Sequence, residues 1–219
     1  MSATTPIAVD LAGVAPEDAA RARWYGLFAT LFRAPPSAQW LAAIASSRSD
    51  EEPDDEASPL GRAWNDFARA CAQADAEAVR EEFDTAFIGV AKADVIPYAS
   101  YHLSGFLNDR PLVELREHLA GLGLARRADI GETEDHLSAL CETMAWLIAG
   151  DAGPARDFAA QRAFFARFLG ALLRVARRHD RAQRRHRLLQ ACRPAAARVP
   201  RGGAAGLRFR LSVTIAHQE

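Results

Sequence analysis

From residue 19 to residue 169 the apolar side chains recur at helical spacing, segment after segment, with a helix breaker between most segments. Trp24, Leu27, Phe28 and Leu31 follow the i, i+3, i+4, i+7 stripe of an amphipathic helix, and Pro35-Pro36 ends it. Ser37 is placed to cap a short helix carrying Trp40, Leu41 and Ile44. Residues 48–58 (RSDEEPDDEAS) are acidic and poor in apolar side chains, the composition of a solvated loop. Ser58-Pro59 then supplies an N-cap with proline at the first helical position, ahead of Leu60, Ala63, Trp64, Phe67 and Cys71. Asp75 opens the next helix, with Val79, Phe83, Ala86 and Phe87 on one face.

Gly89 to Asp109 reads as a long irregular loop, yet it carries Tyr98, Tyr101, Phe106 and Leu107. Loops that are both long and aromatic are more often functional surface than connector. Pro111 starts a helix through Leu112, Leu115 and Leu119 that stops near Gly121 and Gly123. Glu132 to Ala149 forms another, with Leu137, Leu140, Cys141, Met144, Leu147 and Ile148 inward and Gly150 closing it. A last helix follows Pro154 and carries Phe158, Phe164, Phe165, Phe168 and Leu169. With no strand alternation before residue 200, the expected fold is an all-α, single-domain helical bundle.

The totals exclude several classes. A chain of 219 residues that is 49% hydrophobic and 25% charged can bury one core of ordinary size. No apolar run reaches the roughly 18–20 residues of a membrane span. Met1 to Ala20 lacks the basic start and apolar run of a secretory signal. Cys71, Cys141 and Cys192 are isolated, which fits a reducing cytoplasm better than a disulfide framework or a zinc knuckle.

The net charge of −1 hides an asymmetry: residues 1–169 balance to −11 and residues 170–219 to +10. The chain is therefore expected to divide into a helical body, 1–169, and a basic tail, 170–219. Three readings of the tail are open. It is an arm for nucleic acid, although the aromatics or module that would accompany one are missing. It is a solvated helix with a disordered end. Or it is translated out of the native frame after Gly170, which the Arg/Ala/Pro/Gly mix of GC-rich DNA favours.

Two short stretches carry the residues with chemistry. Asp135-His136 has the pieces of a general base, but a triad also needs a nucleophile and an oxyanion hole. Ser100 and Ser104 lack the glycines of a nucleophile elbow, so a hydrolase built on Ser100, His136 and Asp135 is a minor alternative. The remaining histidines show no metal-ligand spacing. On spacing alone Asp135 belongs in a first helical turn and His136 makes a structural hydrogen bond. Pro97, Tyr98, Ser100 and Tyr101 fit a tight turn and an interface equally well. Trp24, Trp40, Trp64 and Trp146 sit at helical spacing and read as core.

The stretch from Arg21 to Leu169 resembles the TorD/DmsD/NarJ group of redox-enzyme maturation chaperones. The resemblance lies in Glu82–Gly89 (EFDTAFIG), Pro97-Tyr98-Ala99-Ser100-Tyr101 with Gly105, Leu115-Arg116, Gly123-Leu124, and Asp135-His136 with Glu142 and Met144. Glu134 stands where the group usually has proline, Ala99 replaces a bulkier polar residue, and the Arg-rich tail replaces the closing helices. The resemblance implies a cytoplasmic, non-enzymatic chaperone. Its partners would be an apo molybdoenzyme catalytic subunit, formate dehydrogenase the nearest client, and that subunit's twin-arginine leader. Pro97, Tyr98, Ser100, Tyr101, Asp135 and His136 would line the binding site, with carboxylates such as Asp135 meeting the arginines, and Glu142, Met144 and Trp146 in support. No prosthetic group is implied, only transient contact with the molybdopterin cofactor or weak binding of guanine nucleotide, and no phosphate-binding glycine loop is present. Nucleic acid is not an expected partner, and the 89–109 loop could act as the hinge of a domain-swapped homodimer.

Overall fold

A computed structural model describes residues 7–8, 11, 13–47, 59–88, 93–150, 157–170, 172, 212–213 and 215–217. Its described part is mostly helical: α1 (Pro16–Arg33), α2 (Ala38–Ser46), α3 (Pro59–Ala72), α4 (Ala76–Phe83), α5 (Ala99–Ser104), α6 (Arg110–Gly121), α7 (Leu137–Ala149) and α8 (Phe158–Phe164). Single π-helical turns extend α4 over Asp84–Ile88 and α8 over Phe165–Leu169. The all-α expectation holds.

The helix boundaries follow local chemistry. Ser37 caps α2 by accepting the Trp40 N–H, and Asp75 caps α4 by accepting the Ala78 N–H. The first helix starts earlier than its apolar stripe, at Pro16, because proline suits the opening turn and Glu17 and Asp18 complement the helix dipole there. The acidic 48–58 segment and residues 89–92 lie outside the described residues, as does most of the 170–219 tail.

The central pairing is α1 against α7, with α2 against α3, α5 against α6 and α8 against α7 around it. Leu27, Phe28 and Leu31 of α1 join Leu140, Met144, Leu147 and Ile148 of α7 in one buried cluster. Trp24 and Trp64 meet edge to face at 5.2 Å, and Trp64 and Phe67 at 6.0 Å, extending the cluster to α3. Trp24 and Trp64 are core, as their spacing predicts, whereas Trp40 and Trp146 are only partly buried against it. Burying each large side chain here contributes about 1.5–3 kcal/mol. Cys71 and Cys141 are buried, and desolvation pushes both thiols above their usual pKa, which disfavours the thiolate.

Two short antiparallel strand pairs accompany the helices: Ile7–Ala8 (β1) with Ser212–Val213 (β3), and Leu124–Arg126 (β2) with Ile215–His217 (β4). The strand at Leu124 is not expected from the sequence. Three residues are too few to show alternation, and the turn into it is made by Gly123 at φ 71°.

Candidate functional site

The two stretches singled out in the sequence are hydrogen-bonded to each other. Tyr98 and His136 form an isolated antiparallel bridge. The Ala99 N–H donates to the Asp135 carbonyl at 2.9 Å, and the Leu137 N–H donates to the Pro97 carbonyl at 2.7 Å. The Tyr98 ring stands edge-on to the His136 imidazole at 5.1 Å. Loop and helix entry are thus held in one register.

Local structure differs from expectation at both ends of this contact. The loop is not irregular throughout, because Ala99–Ser104 forms α5 and packs on α6. The helix at Asp135-His136 starts at Leu137 rather than Glu132, so Asp135 precedes it and is not in a first helical turn. Asp135 is 1% exposed. One of its oxygens, Oδ2, accepts the Ser100 N–H at 2.9 Å, and Oδ1 accepts the Thr133 hydroxyl at 2.6 Å. Both carboxylate oxygens of Asp135 are therefore bonded within the fold, because α5 begins with orphan N–H groups and Tyr98, its N-cap residue, makes no side-chain cap.

His136 is the N-cap of α7, where its Nδ1 accepts the Ser138 N–H at 3.2 Å. Acceptance at Nδ1 requires the neutral ring. Burial drives its pKa below the usual imidazole value, aided by the Arg33 guanidinium and opposed by Glu132 and Asp135. A depressed folded-state value means the unfolded chain takes up the proton first. The resulting stabilisation is fully present above about pH 6.5 and is lost as pH falls through the folded-state value. Burial also lowers the pKa of His118, which contributes in the same direction. The thermal midpoint is therefore expected to drop between pH 7 and pH 5. His136→Asn, which keeps a capping oxygen but cannot titrate, should flatten that profile, and an unchanged slope would assign the effect elsewhere.

Around this cap lies a ring of charged groups. Arg33, the last residue of α1, pairs with the 2%-exposed carboxylate of Glu142, and its Nε lies 3.3 Å from the Ser138 Oγ. Burial and the nearby Arg127 guanidinium lower the Arg33 pKa. Glu134 accepts from Arg116 at 3.0 Å and lies 3.7 Å from Arg126. The glutamate that replaces the expected proline is thus anchored to the Leu115-Arg116 motif. Tyr98 donates its hydroxyl to Glu132, and burial with that hydrogen bond holds the phenol above its usual pKa. In the neighbouring turn, His102 Nε2 donates to the Ile96 carbonyl at 2.6 Å.

Of the six lining residues named from the sequence, Pro97, Ser100, Asp135 and His136 are buried, Tyr98 is half-buried, and Tyr101 is exposed. The supporting residues also resolve: Glu142 ties α7 to α1, Met144 is core, and Trp146 packs at the core's edge. Thr133, Glu132, Arg33 and Ser138 were not singled out. Thr133, two residues before Asp135, was the one with a local signal, since a hydroxyl at that spacing commonly orients an aspartate.

Ser100 Oγ is fully buried and, among the described residues, has no hydrogen-bond partner. His136 Nδ1 is already taken by a backbone N–H. The Ser100, His136 and Asp135 side chains therefore lack the nucleophile-to-base contact that a hydrolase requires. Among the described residues no group of acids, histidines and cysteines could hold a metal ion, and no helix is long and apolar enough to cross a membrane.

The helical body thus spends its polar groups on fixing one loop and leaves Tyr101, Phe106 and Leu107 exposed beside it. Residues 53–175 match the family described as Nitrate reductase delta subunit, and the chain belongs to that family, which includes the TorD- and NarJ-type redox-enzyme maturation chaperones. Over 59 residues it is 39% identical to the Chaperone protein TorD of Aliivibrio fischeri (strain ATCC 700601 / ES114), a stretch that is 26% of this chain and 27% of that protein. The chain thus spans little more than a quarter of that relative's length. Its fold is similar to a crystal structure from Archaeoglobus fulgidus described as that of a redox enzyme maturation protein, with TM-score 0.51 and 19% identity over 81% of this chain and 92% of the other.

Proposed function

We propose that this chain is a cytoplasmic chaperone for a molybdoenzyme catalytic subunit. It binds the subunit's twin-arginine leader and delays export until the molybdopterin cofactor has been inserted, with formate dehydrogenase as the client to test first. The observation that carries this reading is the locked junction of Pro97–Tyr101 with Asp135–Leu137. Beside it Tyr101 (37% exposed), Phe106 (71%) and Leu107 (51%) stand at the surface.

A twin-arginine leader joins two guanidinium groups to an apolar run. The apolar run would cover Tyr101, Phe106 and Leu107, burying surface that water now touches. Glu132, exposed and hydrogen-bonded to Tyr98, would be the carboxylate that meets an arginine. Titration of the full chain with a synthetic leader peptide should give micromolar or tighter binding that weakens as salt is raised. Replacing the two arginines of the peptide by glutamine should weaken it further. Folded protein that binds no leader from the molybdoenzymes of its own genome would refute the reading. Nucleic-acid binding through the Arg-rich tail is the second reading, and it predicts salt-sensitive DNA affinity that disappears when residues 170–219 are deleted.

A further inference from the structure

We propose that Asp135 is a positioning residue, a cap supplied from across the fold, that fixes the direction of α5 and thereby the placement of Tyr101 and Phe106. This rests on the leader-binding reading above. The opening of α5 lacks a cap of its own: Tyr98 occupies the N-cap position without a capping side-chain bond. The missing acceptor comes from 35 residues away, where Asp135 Oδ2 takes the Ser100 N–H at 2.9 Å.

Contacts on the Thr133, backbone and Glu134 sides make that cap rigid. Thr133 holds the other carboxylate oxygen at 2.6 Å. Backbone bonds from Ala99 to Asp135 and from Leu137 to Pro97 flank it on both sides. Glu134, the preceding residue, is anchored by Arg116 and Arg126. Asp135 therefore has little freedom to leave Ser100 for a ligand.

What the cap controls lies one turn further on. Tyr101 is the third residue of α5, and its carbonyl accepts the Gly105 N–H at 2.8 Å in the closing turn. Gly105 sits at φ 89°, a conformation that glycine adopts without strain, and it turns the chain into exposed Phe106 and Leu107. A six-residue helix cannot sustain itself in water, so its direction depends on the groups that hold its ends. Loss of the cap would therefore move Tyr101 and Phe106 together.

Capping and charge are separable in one substitution. Asparagine keeps an oxygen for the Ser100 N–H and an amide for Thr133, but has no charge. The test titrates a synthetic twin-arginine leader peptide into full-length wild type, Asp135→Asn and Asp135→Ala, and follows amide hydrogen exchange at Ser100 in each. Asp135→Asn should bind within about threefold of wild type, whereas Asp135→Ala should lose about tenfold, the size of a lost cap. The Ser100 amide should stay protected in Asp135→Asn and become labile in Asp135→Ala. In a background carrying both Tyr101→Ala and Phe106→Ala, Asp135→Ala should cost little more, because the side chains it positions are already gone.

Equal losses in Asp135→Asn and Asp135→Ala would overturn the proposal in favour of direct ionic contact. Should Asp135→Ala fail to fold, Thr133→Val, which loosens the carboxylate without removing it, is expected to lower both affinity and Ser100 protection. No change in either would also overturn the proposal. A wild type that binds no leader refutes the function proposed above, and Ser100 exchange still decides whether Asp135 is the cap.

Discussion

Leu140→Ala is expected to destabilise the protein by about 3–5 kcal/mol, a large fraction of the roughly 5–15 kcal/mol that holds a domain of this size together. Leu140 is fully buried in the common core cluster, in the first turn of α7, and its N–H bonds to the His136 carbonyl at 3.0 Å. Truncation removes apolar atoms and leaves a cavity that the surrounding helices fill only in part. Leu140→Met conserves volume and should cost less than about 1.5 kcal/mol. Urea denaturation of the three proteins reads the difference directly. If Leu140→Ala lost under about 1 kcal/mol, the α1–α7 seam would not be packed as described.

Arg33→Ala should have the next largest effect, about 2–3 kcal/mol. Glu142 is 2% exposed, and removing its cation leaves a carboxylate inside the protein. Breaking a buried pair from one side typically costs about 3–5 kcal/mol. The lower figure applies because the Arg33 side chain is 39% exposed, so water can replace part of it. The double variant Arg33→Met with Glu142→Leu is expected to recover most of the loss, since no buried charge then remains. A double variant as unstable as Arg33→Ala would show that the guanidinium acts through packing rather than through charge.

These two residues show what connects fold to site. Leu140 and Leu27 are recognisable as core from helical spacing, and the pairing of α1 with α7 follows from burying both stripes. Arg33 gives no such signal. It is a cation at a helix end, where cations are common, and only the approach of α1 to α7 brings it to a glutamate 109 positions later.

The same limit explains the loop. Helices α1 to α4, α6 and α8 were legible because propensity, caps and apolar periodicity agree within each segment. The short helix α5 was not, since six residues give less than two turns of periodicity and its cap comes from elsewhere in the chain. The sequence alone puts the start of α7 too early because Glu132, Glu134 and Asp135 look like a first helical turn. The Tyr98 hydroxyl on Glu132, the arginine pairs of Glu134 and the Thr133 bond to Asp135 hold them outside it.

By itself, the sequence determined the all-helical class, the positions of most breaks, and the two stretches that the fold joins by backbone hydrogen bonds. Each depends on neighbours within a few residues, which is the range over which backbone hydrogen bonds and helical periodicity act. Tertiary structure alone decided which way Asp135 faces. Whether a carboxylate meets solvent, a partner or an orphan N–H 35 residues away depends on how two segments pack, and residue type is the same in all three cases. That packing turned Asp135 inward to hold α5, and left Tyr101, Phe106 and Leu107 at the surface.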